Sequence, residues 1–536
     1  MSYDPTRAGA RCDVCPLNAQ GELRRAMSEK PHKPDPFKPV GPEVHPRRGT
    51  NAPDHADIAL VGQMPGLDEE REGYPFAGKA GVELTRDLTL AGLRRTDVDL
   101  FNVIACKPPG QASGAWQRMD AVLRRLNTER EVQNLAPLPH PSTCCKPRLD
   151  AELAPYAMLV TLGGEAHKAI TGNTRSITTV HGEILGRDSR DQPWRAYDPS
   201  TGDALPALRL VPTVHPAFVL RAPAWRDVLV RELAKAQRVK HGRLNWPEPD
   251  IGYQPTPEAL AEWLAVPSPF SSFDVEADAR EPLEARIRCF AFATPDVDED
   301  DRAVDIGAVK PHRVARAIGV NLLSGDGHTR FYSWRDEQRI VAIAAMHLAN
   351  PANLVFGANL LGYDAVTIEQ NWYAERSAHQ RAFHPPIANG ACLLLASRFR
   401  APGLPQGRQP PGRLFTDIGR WESDEKGEDH ATATGSSPEA VRRKDEDRIV
   451  YNVTDTVVGC RVTVPLVHGA RANGAFDPCN EDLKPANWNP QEPFDLWSVD
   501  HACQRMCIEM HRLGVHVDQA ARARLHREYS IRAGRR

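Results

Sequence analysis

Several groups of residues in this 536-residue chain have types and spacings that could do chemistry. Five cysteines fall within the first 145 residues: Cys12 and Cys15 in a Cys-x-x-Cys pair, Cys106 before Lys107-Pro108-Pro109, and the adjacent Cys144-Cys145 before Lys146-Pro147. Four thiolates hold either a zinc ion or a [4Fe–4S] cluster, and spacing alone leaves both open. A second group combines glycines with polar and aromatic residues: Gly62-Gln63-Met64-Pro65-Gly66, Gly73-Tyr74-Pro75-Phe76, Asn102, and His215-Pro216. An aromatic ring can stack on a nucleobase, and a carboxamide offers it both a donor and an acceptor. A histidine can donate to an oxygen on which negative charge builds. The third group is acidic. Asp274 and Glu276 alternate on one strand face, Asp364 follows Asn359, and Tyr451 and Asp455 lie one helical turn apart. Four carboxylates meeting in space repel unless cations lie between them, and two divalent metals about 3.5–4 Å apart would both satisfy them and activate a water.

These residues need elements to position them. Short apolar runs at 58–61, 100–101, 158–160 and 208–211 read as buried strands, and 81–93 and 226–239 read as helices. Such alternation predicts a mostly parallel sheet with helices on both faces and ligands at the carboxyl ends of its strands. Each run is followed by one of the polar loops. Singly, each loop has an ordinary explanation as a turn, and Phe76 one as a core ring. Their order along one sheet is the informative feature. Prolines 247, 249, 255, 257 and 267 read as a linker over 241–267, and a second α/β pattern starts at Phe270. Residues 401–447, rich in Pro, Gly, Ser and mixed charge, read as a mobile insertion, and 494–532 as helical and basic. Arg209, Arg221, Arg226, Arg231, Lys235, Arg238, Lys240 and Arg243 form a basic stretch that either pairs with phosphates or is a solvated helix face.

The order GQMPG–GYPFAGKAG, NVIACKPPG and VPTVHPAFVLR resembles the family-4 uracil-DNA glycosylases, over residues 10–240. The resemblance implies a base-flipping enzyme that hydrolyses the bond between uracil and deoxyribose. It implies a uracil site of Gly62, Gln63, Pro65, Gly66, Phe76, Asn102 and His215. Phe76 would stack on the base, Asn102 would read its edge and His215 would donate to the uracil oxygen. Phe218, Val219 and Leu220 would wedge into the duplex, with Arg221 on a phosphate. The resemblance also selects the iron–sulfur cluster, held by Cys12, Cys15, Cys106 and Cys145, with Cys144 as the substitute for the last. The family usually carries glutamate where this chain has Gln63. Asp68, Glu69 or Glu70 are candidates to replace the missing charge, and a domain that binds uracil without cutting is the alternative.

The later order, D-x-E, then Asn359 with Tyr363-Asp364, then Tyr451-x-x-x-Asp455, resembles the tyrosine-type DEDD exonucleases of family-A DNA polymerases, over residues 268–465. It implies a ribonuclease-H-like 3′→5′ exonuclease domain with two Mg²⁺ or Mn²⁺ on Asp274, Glu276, Asp364 and Asp455. Tyr451 would orient the water and Asn359 would contact the DNA end. Cys507 to Asp518 resembles the opening of a polymerase region, and no palm or fingers motif follows. The expected layout is therefore a glycosylase-like domain over 1–240, a linker over 241–267, an exonuclease over 268–470 and the start of a thumb-like helical region over 471–536. The implied partners are uracil-containing and single-stranded DNA and a separately encoded polymerase of phage type. The formal net charge of −3 argues against a generally basic binder, and an odd cysteine count of 11 argues against a disulfide framework. With no apolar run of membrane length and no export signal at the start, a cytoplasmic location without membrane contact is expected.

Overall fold

The computed structural model describes residues 3–28, 37–45, 55–110, 114–197, 203–244, 249–295, 314–373, 385–401, 403–404, 409–418 and 437–472. The chain is mixed α/β and divides into two compact units. The first holds Met1–Glu248 together with Ala401–Pro405 and Gln409–Ser423, and the second holds the rest.

In the first unit, β1 (Ile58–Gly62), β2 (Val98–Asn102), β3 (Met158–Leu162) and β6 (Leu208–Thr213) are all parallel, in the order β2-β1-β3-β6. The short β4 (Leu185–Arg187) and β5 (Arg195–Ala196) extend this sheet antiparallel beyond β6. Strands covered on both faces need continuous apolar runs rather than alternation, and β1, β2 and β3 are buried at every position. The register pairs Gly62 with Asn102 and Leu162 with Thr213, so the loops that follow β1, β2, β3 and β6 emerge at one sheet end.

In the second unit, β8 (Ser271–Ala277), β9 (Ile287–Pro295) and β10 (Val314–Asn321) form an antiparallel meander. The strands β11 (Val355–Gly357) and β12 (Gly390–Cys392) add parallel on the far side of β8, giving the order β12-β11-β8-β9-β10. This is the strand order of the ribonuclease-H-like sheet. Phe273, Phe290 and Phe292 fill its core, with the Phe273 and Phe292 ring centroids 4.7 Å apart. The helix Pro438–Ala472 packs across β8, β9 and β10.

Two boundaries differ from the sequence expectation. The segment read as a linker carries β7 (Asp250–Tyr253), which pairs parallel with β10, and the helix Pro257–Ala265, whose Leu260 is in the core. Pro257 opens that helix, where its missing N–H costs nothing, so a proline that suggested a linker is a helix-start signal. The segment read as a mobile insertion contains the helix Gln409–Phe415, followed by buried Thr416, Asp417 and Ile418. The Pro and Gly content obscured the apolar Leu414, Phe415 and Ile418. Residues 419–436 and the thumb-like region beyond 472, including 507–518, lie outside the described residues. No helix among the described residues is long and apolar enough to cross a membrane.

Candidate active sites

Gly62, the last residue of β1, is where the first site closes. A Cβ at this position would lie 2.6 Å from Phe76 Cζ and 2.7 Å from Asn102 Oδ1, so only glycine lets both side chains converge here. Phe76 is buried and has φ of 54°, a left-handed conformation that costs a non-glycine residue energy. Its loop is pinned from two sides. A Cβ on Gly81 would fall 1.6 Å from Phe76 O, and Arg95 Nη2 donates to the carbonyls of Pro75 at 3.0 Å and Phe76 at 3.2 Å. Asn102 ends β2 and is buried, and its own carbonyl accepts from Arg148 Nη2 at 2.5 Å.

His215 follows β6, and its ring stacks on that of Phe76, with centroids 5.7 Å apart and planes inclined by 28°. It caps the short helix Pro216–Val219, with Nδ1 accepting from the Ala217 N–H at 3.1 Å. That bond assigns the proton of the neutral ring to Nε2. Burial, and secondarily the Arg221 charge, lower the pKa to about 4, so at neutral pH the ring is an uncharged Nε2–H donor.

The loop after β1 is tied to the loop after Phe76 through Glu69. Its Oε2 accepts from the Gly66 N–H at 2.9 Å and its Oε1 from the Gly78 N–H at 3.4 Å. Asp68 pairs with Arg71 at 3.3 Å, and buried Glu70 lies 3.9 Å from Lys107 Nζ. Each carboxylate considered as a replacement for the charge missing at Gln63 thus already has a partner. Pro65 is buried beneath this loop, and Gln63 is half-buried with its carbonyl accepting from the Ile104 N–H at 3.3 Å.

Among the expected wedge residues, Leu220 is 46% exposed and Arg221 is exposed. Phe218 packs edge-on against Trp225 with centroids 5.5 Å apart. Val219 is fully buried and points into the unit, so it is not a wedge. The basic stretch fits neither of its two readings, because the fold uses most of its charges internally. Arg226 donates to Glu83 at 2.5 and 2.8 Å, Arg209 to the carbonyls of Pro206, Val239 and Lys240, and Arg238 to Asp417. Lys235 is buried on the carbonyls of Gly182 and Arg413.

Cys15, Cys106, Cys144 and Cys145 share one buried cluster with Val61 and Phe101, but among the described residues no three cysteines bring their sulfurs within ligand distance of one another. Cys15 shares a hydrogen bond with Cys144, and Cys145 is an electrostatic neighbour of Cys12, Cys15 and Cys106 alike. Burial raises the thiol pKa of Cys12 and Cys145 and pushes that of Cys106 up to about 12, so as free groups they stay protonated. Arg148, 1% exposed, faces Cys145, and Arg24 and Arg148 both face Cys106. Buried thiol donors with arginines around them suit an anionic, thiolate-bound centre.

In the second unit, Asp274 and Glu276 on β8 and Asp455 on the helix Pro438–Ala472 offer oxygens that all lie within 4.8 Å of one another. Asp274 and Asp455 are buried at 4% and 2% exposure. Asp364 is not part of this group of three. Its Oδ1 accepts from the Val275 N–H at 3.0 Å, which places it against the strand between Asp274 and Glu276. Tyr451 is half-buried, one turn before Asp455 on the same helix. Asn359 has φ of 59° and precedes the turn that leads to Asp364. One contributor escaped the sequence reading: Asn452 is fully buried, and its Nδ2 donates to Asp274 Oδ2 at 2.8 Å. Its position three residues before Asp455, on the same helix face, was the available signal.

Residues 49–235 match the Uracil DNA glycosylase superfamily model. The type-4 uracil-DNA glycosylase of Pyrobaculum aerophilum is 30% identical over 180 residues, which are 33% of this chain and 74% of that protein. Through this region the chain belongs to the type-4 uracil-DNA glycosylases. The Thermotoga maritima type-4 uracil-DNA glycosylase is 29% identical over 185 residues, 34% of this chain and 76% of that protein. The match spans the loops bearing Gly62, Phe76, Asn102 and His215, so the glycosylase-like pocket is the region shared with these relatives. Among solved structures, Brucella melitensis NrnC bound to pGG overlaps with a TM-score of 0.28 and 10% identity, over 50% of this chain and 93% of that one. At that score the overlap is slight, and the chemistry of the second unit rests on its carboxylates.

Proposed function

We propose that the chain processes DNA at two sites, excising uracil in the first unit and removing 3′-terminal nucleotides in the second. The observation that carries the first activity is His215, held as a neutral Nε2–H donor beside Phe76, the ring that converges with Asn102 on Gly62. A flipped uracil would stack on the Phe76 ring while the Asn102 carboxamide pairs with its polar edge. As the bond between the base nitrogen and C1′ breaks, its electron pair leaves with uracil. His215 then stabilises the oxygen on which the charge collects, without itself carrying a charge that must be desolvated. Water adds at C1′ and loses a proton. Leu220 would occupy the gap left in the stack, with Arg221 at a flanking phosphate.

Gln63 is the point at which this chain departs from the family. A carboxamide cannot take a proton from the attacking water as a carboxylate does, and general-base assistance is worth about 10²–10⁴-fold. The reading is therefore slow excision, and Gln63 favours one alternative, a module that binds uracil without cutting. Cys12, Cys15, Cys106 and Cys145 would hold a [4Fe–4S] cluster, whose contribution is structural, tying the N-terminal arm to the sheet. The shared proximity of Cys145 to the other three supports it over Cys144.

In the second unit, Asp274, Glu276, Asp364 and Asp455 would hold two Mg²⁺ or Mn²⁺ ions, which supply an activated water for phosphodiester hydrolysis. Tyr451 would orient that water and Asn359 the DNA end. The tyrosine-type motif order also supports 3′→5′ polarity and a proofreading place beside a separately encoded polymerase, in the cytoplasm.

Single-turnover excision from a uracil oligonucleotide tests the first activity. Gln63→Glu raises the rate and His215→Ala lowers it. If wild type leaves no abasic sites at enzyme excess but prefers uracil-DNA to thymine-DNA, the binding module is correct. If it shows neither, the pocket reading is wrong.

A further inference from the structure

The helix Arg226–Lys240 begins just beyond the wedge loop, and its basic face is covered by a segment from far along the chain. Arg238 donates to both oxygens of Asp417, at 2.6 and 3.0 Å, across 179 positions of sequence. Asp417 is fully buried, and Lys235, 1% exposed, donates to the carbonyls of Gly182 and Arg413. The Arg231 guanidinium lies 4.8 Å over the Phe415 ring. Arg413 in turn donates to Thr179 O and lies 3.9 Å from buried Glu183.

These contacts connect to the pocket. Glu232, on the same helix, bonds His181 Nδ1 at 2.5 Å. His181 packs edge-on against Trp225 at 5.4 Å, and Trp225 against Phe218 at 5.5 Å. The Phe218 N–H donates to His215 O at 2.8 Å. Without the segment, Lys235, Arg238 and Glu183 would each lose a charged or carbonyl partner. A buried charge without a partner is strongly unfavourable.

We infer that residues 409–418 are a lock on the glycosylase unit, whose docking surface is the basic face of Arg226–Lys240 and whose occupant is this segment of the same chain, presenting the Asp417 carboxylate, the Phe415 ring and the Arg413 carbonyl. The first unit is then not encoded by the N-terminal half alone, and the lock holds the His215–Leu220 loop in place. The inference deepens the proposed excision reaction only in that last respect. The docking itself stands apart from it.

The test is amide hydrogen exchange in the full chain carrying Asp417→Arg, Arg238→Asp or both. Each single reversal should speed exchange in 216–222 and 226–240 by about tenfold or more, because local opening then competes with the docked state. The double reversal should restore protection, whereas degradation of plain single-stranded DNA should stay at wild-type level throughout. If Asp417→Arg prevents folding, Asp417→Asn makes the same comparison with a smaller effect. Wild-type exchange in the single variants overturns the lock, as does a double variant that regains nothing. Added plain DNA that releases 409–418 would overturn it too, by showing that phosphate is the natural occupant of this face. A wild-type chain that fails to excise uracil, while its variants lose and regain protection as expected, would count against the proposed reaction and leave the lock intact.

Discussion

Replacing Gly62 with alanine adds one methyl group at a crowded point of the proposed uracil pocket, where Phe76 and Asn102 meet. The new Cβ would sit 2.6 Å from Phe76 Cζ and 2.7 Å from Asn102 Oδ1, whereas carbon atoms pack comfortably at about 3.5–4.0 Å. One of the two side chains must therefore move by roughly 1 Å. Phe76 has little freedom, because Gly81 lies against its carbonyl, Arg95 holds that carbonyl and its φ is already 54°. Asn102 is fixed at the end of β2, with its own carbonyl on Arg148. Overpacking of this kind costs about 1–3 kcal/mol, and misplacing a reading group by about 1 Å costs on the order of 10²-fold in rate. Gly62→Ala should thus lower single-turnover uracil excision, or the preference for uracil-DNA in a binding titration, by about 5- to 150-fold if that energy falls on the site. Thermal melting reports any share taken by the fold. A variant with wild-type melting and wild-type uracil recognition would refute the convergence of Phe76 and Asn102 on one base.

Further outcomes follow from the same geometry. Asn452→Ala removes the donor that orients Asp274, so the Mg²⁺ concentration needed for half-maximal nuclease rate should rise with melting little changed, whereas Asp274→Ala should abolish the activity at any Mg²⁺ concentration. Buried His167 and half-buried His215 both have pKa values lowered to about 4, mainly by desolvation, against about 6.5 in an unfolded chain. Between pH 6.5 and 4 the unfolded state takes up protons that these two folded histidines refuse, so the first unit loses stability as pH falls through that window. Asp87, raised to about 6 chiefly by burial, and Glu165, also raised chiefly by burial, act in the opposite sense and make the decline shallower. Melting scans from pH 8 to 4.5 should show the decline, and His167→Leu should make it shallower. Anaerobically purified protein should contain iron and sulfide near four each, lost in Cys106→Ser but retained in Cys144→Ser; stoichiometric zinc would contradict the cluster.

The parts of the molecule legible in sequence were those in which local pattern and chemistry coincide. The strands of the first sheet are buried on both faces, so their apolar runs were visible, and each delivers a site loop at its carboxyl end. The D-x-E alternation on β8 and the Tyr451–Asp455 spacing placed these groups on single faces without tertiary information. What stayed hidden depends on partners distant in sequence. The basic stretch looked available for phosphate because Glu83, Asp417 and the carbonyls that satisfy it lie elsewhere in the chain. Val219 was grouped with Leu220 because nothing local tells which side of a four-residue helix faces inward. Asn452 acquires its role only when the helix that carries it packs against β8.

The most direct test of the two-site account uses one 5′-labelled single strand with a single internal uracil. With EDTA present, the wild-type chain at enzyme excess should give an alkali-labile break at the uracil and no shortening from the end. With Mg²⁺ it should shorten the strand progressively from the 3′ end, and Asp274→Ala should remove only that second reaction. An intact strand under both conditions, or shortening that persists in EDTA, would contradict the account.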